Sequence, residues 1–169
     1  IIYGDKYGTV WLAETEEVII EIVKAVNDKA TAEEMKAALD RYEQLTARQQ
    51  YYINDQLGFS TINLLKNRLI DAVESLKVVK NHSTAGKGWI KVTWSTVGDD
   101  AAADGYQVYK STKKNSGYKY AFTSKAKWYK NTAGLKKGTR YYYKVRAFVE
   151  IDGQKYYSDW SNKAYRYAK

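Results

Sequence analysis

One histidine and three neighbouring aspartates have the clearest reach toward chemistry in this 169-residue chain. His82 sits in the polar run KNHSTAGKG with no serine or acid arranged as a relay, so it reads as a solvated loop residue. Asp99, Asp100 and Asp104 invite a hard cation, but their spacing matches no EF-hand loop. DDAAADG ahead of a strand reads instead as a turn punctuated by Asp104-Gly105. Paired carboxylates of the glycosidase kind need a cleft, and no cleft-forming scaffold is evident. Cysteine is absent, which removes disulfides, thiolate metal sites and thiol nucleophiles together. The expectation is a non-enzyme with no catalytic residue, no cofactor and no metal, leaving recognition by surfaces.

Seventeen tyrosines and five tryptophans carry that possibility. In LKKGTRYYYKVRAF, residues 135 to 148, a two-residue period puts Tyr141, Tyr143, Val145 and Ala147 on one face and Tyr142, Lys144, Arg146 and Phe148 on the other. The first set fills a core, and Tyr142 is expected to be exposed. Tyr109, Tyr142, Arg146, Trp128, Tyr157 and Trp160 are the candidate ligand or partner surface. Arg146 stacked on Trp160 would make a structural ladder, whereas exposed flat aromatics side by side would suit a glycan. Lys113, Lys114, Lys125, Lys127, Lys136 and Lys137 crowd the turns and would support weak, salt-sensitive phosphate contacts. Base stacking needs rings and cations on one face, and no nucleic-acid motif is found, so nucleic acid is an unlikely partner.

Charge divides the chain that must position these groups. Residues 1–76 hold 8 Lys and Arg against 13 Asp and Glu, net −5, and residues 77–169 hold 20 against 6, net +14. Two modules are expected. From 15 to 76 the apolar residues recur at helical spacing. Val18, Ile19, Ile22, Val23 and Val26 form one stripe, and Thr31 with Glu34 opens a second helix lined by Met35, Ala38, Leu39 and Tyr42. Thr46 with Gln49 opens a third through Tyr52, Ile53 and Leu57. Ser60 or Thr61 caps a fourth, lined by Ile62, Leu65, Leu69, Val73 and Leu76. Beyond Lys77 the period becomes two, as in GWIKVTWS and GYQVYKS, which indicates an all-β sandwich over 77–169. Residues 1–14, opening IIYGDKYGTVWL, read as an extended segment and as the possible end of a preceding domain. The fold class is therefore a mixed α + β chain, a small helical bundle followed by a sandwich. No run is apolar and long enough to span a bilayer. Without an initiator Met the chain reads as a fragment of a longer protein.

Leu135 six residues before Tyr141, then Tyr143, Val145 and Ala147, resembles the tyrosine corner and following strand of fibronectin type III domains. Trp94 in VTWS and Gly105, Tyr106, Val108 and Tyr109 match the family's early strands, while Lys137 stands where the family usually has Pro. The resemblance covers roughly 77–169, and ADGYQVYKS together with LKKGTRYYYKVRAF is similar to type III modules of bacterial secreted and wall-attached proteins. YYSDWS resembles the WSxWS box of cytokine receptors, with Tyr157 in place of the first Trp. Residues 38–53 resemble small helical repeats of bacterial surface proteins. The resemblance implies a non-catalytic spacer or adhesion fragment, extracellular, secreted or wall-attached. Its partners would be other domains of the chain, a cell-wall polymer, a glycan or a host protein. The alternative is a carbohydrate-binding accessory module of an exported enzyme.

Overall fold

A computed structural model describes residues 8–169. Four helices come first: α1 (Gly8–Ala25), α2 (Ala32–Gln44), α3 (Ala47–Leu57) and α4 (Phe59–Ser75). Eight strands follow: β1 (Lys77–Gly86), β2 (Trp89–Val97), β3 (Gly105–Ser111), β4 (Lys119–Ser124), β5 (Trp128–Asn131), β6 (Arg140–Ile151), β7 (Gln154–Tyr157) and β8 (Ala164–Tyr167). The chain divides into two compact units between Leu69 and Ile70, a division that falls within α4.

The caps of α2 and α3 follow from their first four residues. Thr31 and Thr46 each accept a bond from the backbone N–H three residues on, and Glu34 and Gln49 reach back to the threonine backbone. Met35, Ala38, Leu39 and Tyr42 are buried as their spacing requires.

Three expectations about the helices are corrected. From Gly8 onward the supposed extended segment is helix, because Trp11, Thr15, Val18 and Ile22 continue one helical face; residues 1–7 lie outside the described residues. The buried stripe of α1 is Thr15, Val18, Ile22 and Ala25, while Val23 is 51% exposed. Thr15 tolerates burial because its hydroxyl donates to the Trp11 carbonyl at 2.6 Å and accepts from Gln49 at 3.3 Å. Neither Ser60 nor Thr61 caps α4, which starts at Phe59 directly after Gly58, and the Thr61 hydroxyl donates to the Leu57 carbonyl at 2.7 Å.

The strands form two antiparallel sheets, β1-β2-β5 and a five-stranded sheet ordered β4-β3-β6-β7 with β8 also on β6. Alternation sends Ile90, Val92 and Trp94 of β2, Tyr106 and Val108 of β3, and Tyr141, Tyr143, Val145, Ala147 and Val149 of β6 inward, all buried. Tyr141 closes the corner before β6. Its hydroxyl donates to the Gly134 carbonyl at 3.1 Å and accepts from the Lys136 N–H at 2.9 Å. Tyr143, wholly buried, takes a 3.0 Å bond from Asn131, and burial pushes its phenol up to about 12.

β7 and β8 are two halves of one edge, parted by the run Ser158 to Lys163. In that gap two serines replace the ladder. Ser158 Oγ accepts the Ala147 N–H and Ser161 Oγ the Val145 N–H, both at 2.9 Å. The backbone N–H groups of the same serines donate to the Ala147 and Val145 carbonyls at 3.1 and 2.8 Å. Each buried peptide of β6 is thereby satisfied without a regular strand beside it.

Candidate functional site

β6 builds one face of the site through its outward residues. Register places Ser111 and Tyr165 beside Tyr142, Tyr109 beside Lys144, Gln107 beside Arg146, and Gly105 and Tyr157 beside Phe148. Long cationic side chains thus stand between aromatic neighbours.

The result is a ladder of alternating cations and rings. The Lys144 ammonium lies 3.7 Å from the Trp160 centroid and 4.9 Å from that of Tyr118. The Arg146 guanidinium lies 3.4 Å from the Tyr157 centroid, 4.5 Å from Trp160 and 5.8 Å from Tyr109. Tyr109 meets Trp160 edge-on at 5.0 Å and Tyr120 at 5.9 Å. Arg146 also donates to Gln107 Oε1 at 3.0 Å. Burial first, then the charges of Arg146 and Lys163, hold the Lys144 ammonium below the usual lysine range. A cation in that position leans on ring quadrupoles in place of water.

Four of the six sequence-predicted residues, Tyr109, Arg146, Tyr157 and Trp160, are brought together here. Tyr142 is not exposed as expected but 8% accessible, covered by the tilted ring of Tyr165 and bonded by Arg140 at 3.1 Å. Trp128 lies elsewhere, on β5 in the other sheet.

Around Trp128 is a second, smaller lattice. Lys91 of β2 is placed over the Trp128 ring at 5.2 Å and Lys130 of β5 over the Trp89 ring at 5.0 Å. Sequence reasoning placed Lys144 on the outward face of β6 without making it a candidate, and missed Tyr118, Trp89, Lys91 and Lys130. The last three carried a signal with Trp128, since Trp89-Ile-Lys91 and Trp128-Tyr-Lys130 are both Trp-x-Lys. Antiparallel pairing of two such tripeptides carries each lysine diagonally onto the other strand's tryptophan.

The remaining candidates are dispersed. His82 is not in a loop: β1 runs through it after an irregularity between Val79 and His82, and it is an exposed strand residue. Asn81, buried at that irregularity, ties β1 to β6 through a bond to the Tyr143 carbonyl and to the serine segment through one to the Asn162 carbonyl. Asp99 caps the one-turn helix Asp100–Ala102. Asp100 accepts from Thr96 at 2.6 Å and Tyr106 at 3.1 Å and pairs with Lys127. Burial raises its carboxyl, but Lys127, Thr96 and Tyr106 together carry it below the usual range. Asp104 accepts from the Glu150 N–H at 2.7 Å. Among the described residues no three acidic, histidine or cysteine side chains converge as metal ligands. No helix among them is long and apolar enough to cross a membrane.

No protein-family model matches this chain, and no curated protein matches it significantly. Similar solved structures include an Fn3-like protein from Clostridium thermocellum, at 23% identity over 57% of this chain and 95% of that chain, TM-score 0.46. A beta-1,2-glucanase from Parabacteroides distasonis is similar at 21% identity over 57% of this chain and 13% of that one, TM-score 0.45. The fibronectin type III domain of human fibronectin type III domain containing protein 3 is similar at 21% identity over 52% and 83%, TM-score 0.39. By its own sheet order and its tyrosine corner, the strand-bearing part of the chain has the immunoglobulin-like fold of fibronectin type III domains, preceded by four helices.

Proposed function

We propose that this chain is a non-catalytic spacer and adhesion fragment of a larger bacterial surface or secreted protein, whose sandwich holds other domains in place and presents its faces to partners. The observation that carries this reading is the serine-clamped ladder on β6. Lys144 and Arg146 are engaged with Tyr118, Trp160, Tyr157 and Tyr109. Directly beneath them, Val145 and Ala147 are bonded on both sides of the peptide by Ser161 and Ser158. Aromatic and polar groups that a binding face would offer to a ligand are here used to fasten the edge strand to the sheet. That construction serves resistance to unfolding from the C-terminal edge, which a load-holding module needs. The resemblance of residues 38–53 to helical repeats of surface proteins supports the same setting.

Stretching single molecules of the chain between its ends tests this. The sandwich is expected to unfold as one body, and Trp160→Ala to lower its unfolding force. Equal forces for wild type and variant would remove the mechanical reading.

The accessory carbohydrate-binding alternative is favoured by a separate observation, the 50% exposure of Trp128 on the opposite sheet.

A further inference from the structure

We propose that the outward face of the β1-β2-β5 sheet binds a linear acidic polysaccharide, with Lys91 and Lys130 pairing its carboxylates and Trp128 carrying a sugar ring. The site goes beyond the spacer reading and is independent of it, since a face that bound nothing would leave the β6 ladder unchanged.

The centre of this face is a local conflict. Lys91 and Lys130 are direct partners across the β2-β5 pairing, where like charges destabilise a sheet. No Asp or Glu occurs anywhere in β1, β2 or β5 to offset them. The nearby Asp100 is already held by Lys127, Thr96 and Tyr106. The other directly opposed lysines, Lys110 and Lys119, resolve differently, because the Lys110 ammonium donates to the Ala133 carbonyl at 3.4 Å. Lys91 and Lys130 instead each rest over one tryptophan ring. A ring quadrupole holds a cation without neutralising it. The two ammonium groups therefore lean apart, each over the other strand's tryptophan, and leave two unneutralised charges on one face, at a cost that an anionic chain would repay. Violations of local rules of this kind are expected where a surface has a task.

The shelf is also fixed in advance. Trp89 lies against Gly86, where an added Cβ would come within 2.4 Å of the ring. With one ring face on that backbone and Lys130 over it, Trp89 positions its lysine and offers no stacking surface. Trp128 has Lys91 over its ring but no such backbone against it, and half of its surface stays open. One half-open ring with an ammonium group at it, and a second ammonium further along the same face, fits a chain of uronic acid residues, each with an apolar C–H face and a carboxylate at its rim. Single-stranded nucleic acid needs successive open rings for successive bases. A small free anion is best held in a concave pocket, whereas this surface is an open sheet that suits an extended chain.

The test is an NMR titration of the full 169-residue chain with oligogalacturonate, with a neutral gluco-oligosaccharide and oligothymidylate as comparators. The indole N–H signals of Trp128 and Trp89 are expected to shift with galacturonate while that of Trp160 stays, and added salt weakens the binding. K91Q/K130Q should weaken it at least tenfold and shift the melting temperature little, since relief of the opposed charges offsets the two lost cation–π contacts. Trp128→Ala, at an exposed site, should weaken it by a similar factor and serves as the second variant. No shift at Trp128, a shift centred on Trp160, or affinity within twofold in both variants would overturn the proposal. Equal affinity for oligothymidylate would overturn it too, by reducing the site to a general polyanion patch.

Discussion

Ser161 shows how much of this sandwich rests on single side chains. Its hydroxyl accepts the N–H of Val145, a residue with no solvent access, in a stretch of β6 that neither β7 nor β8 reaches. Ser161→Ala leaves that buried donor unpaired, which costs about 1–3 kcal/mol. Urea denaturation should show a loss of that size, together with faster amide exchange at Val145. Full protection of the Val145 amide in the variant would mean that another acceptor serves it. YYSDWS marked this segment for attention, but its role depends on a contact 16 residues away that spacing does not encode. Tyr141 is the opposite case. Its hydroxyl reaches only to Gly134 and Lys136, so the corner is legible in eight consecutive residues.

Elements were legible where their causes are local, and obscure where a partner decides. Both capping boxes lie within four residues and were readable; which arc of α1 is buried was not. Ile19, Ile20, Ile22 and Val23 are equally apolar, and only packing selects Ile22 at 0% exposure over Ile20 at 53% and Val23 at 51%. The same holds for strands. The inward set of β6 follows from its period, but the Lys91–Trp128 and Lys130–Trp89 contacts require the register of two strands more than 30 residues apart. Gly105 pins such a register at the start of β3. A Cβ there would sit 2.9 Å from the Ser124 carbonyl oxygen of β4 and 3.4 Å from Phe148 of β6. Backbone must move to admit it, so Gly105→Ala should destabilise by about 1–3 kcal/mol. Thermal unfolding checks this, and a neutral substitution would show that the β3-β4 edge is looser than its pairing implies.

Over the whole molecule, charge and period together separated an acidic helical module from a basic strand-rich one. Neither could reveal that the two outward faces of the sandwich use the same residue types in opposite ways. On the five-stranded sheet, cations are enclosed by several rings and the edge is clamped beneath them. On the three-stranded sheet, Lys91 and Lys130 each have a single ring. Composition is blind to that difference, because it lies in how many rings each cation meets.

The β6 ladder is expected to hold the sandwich together. The melting temperature of Trp160→Ala measures this directly in the absence of any ligand. Loss of the two cation–π contacts should cost about 1–2 kcal/mol, and in a domain near 100 residues each kcal/mol lowers the midpoint by about 4–8 °C. A clear fall is predicted. An unchanged midpoint would show that Trp160 contributes nothing to stability and faces outward for a ligand instead.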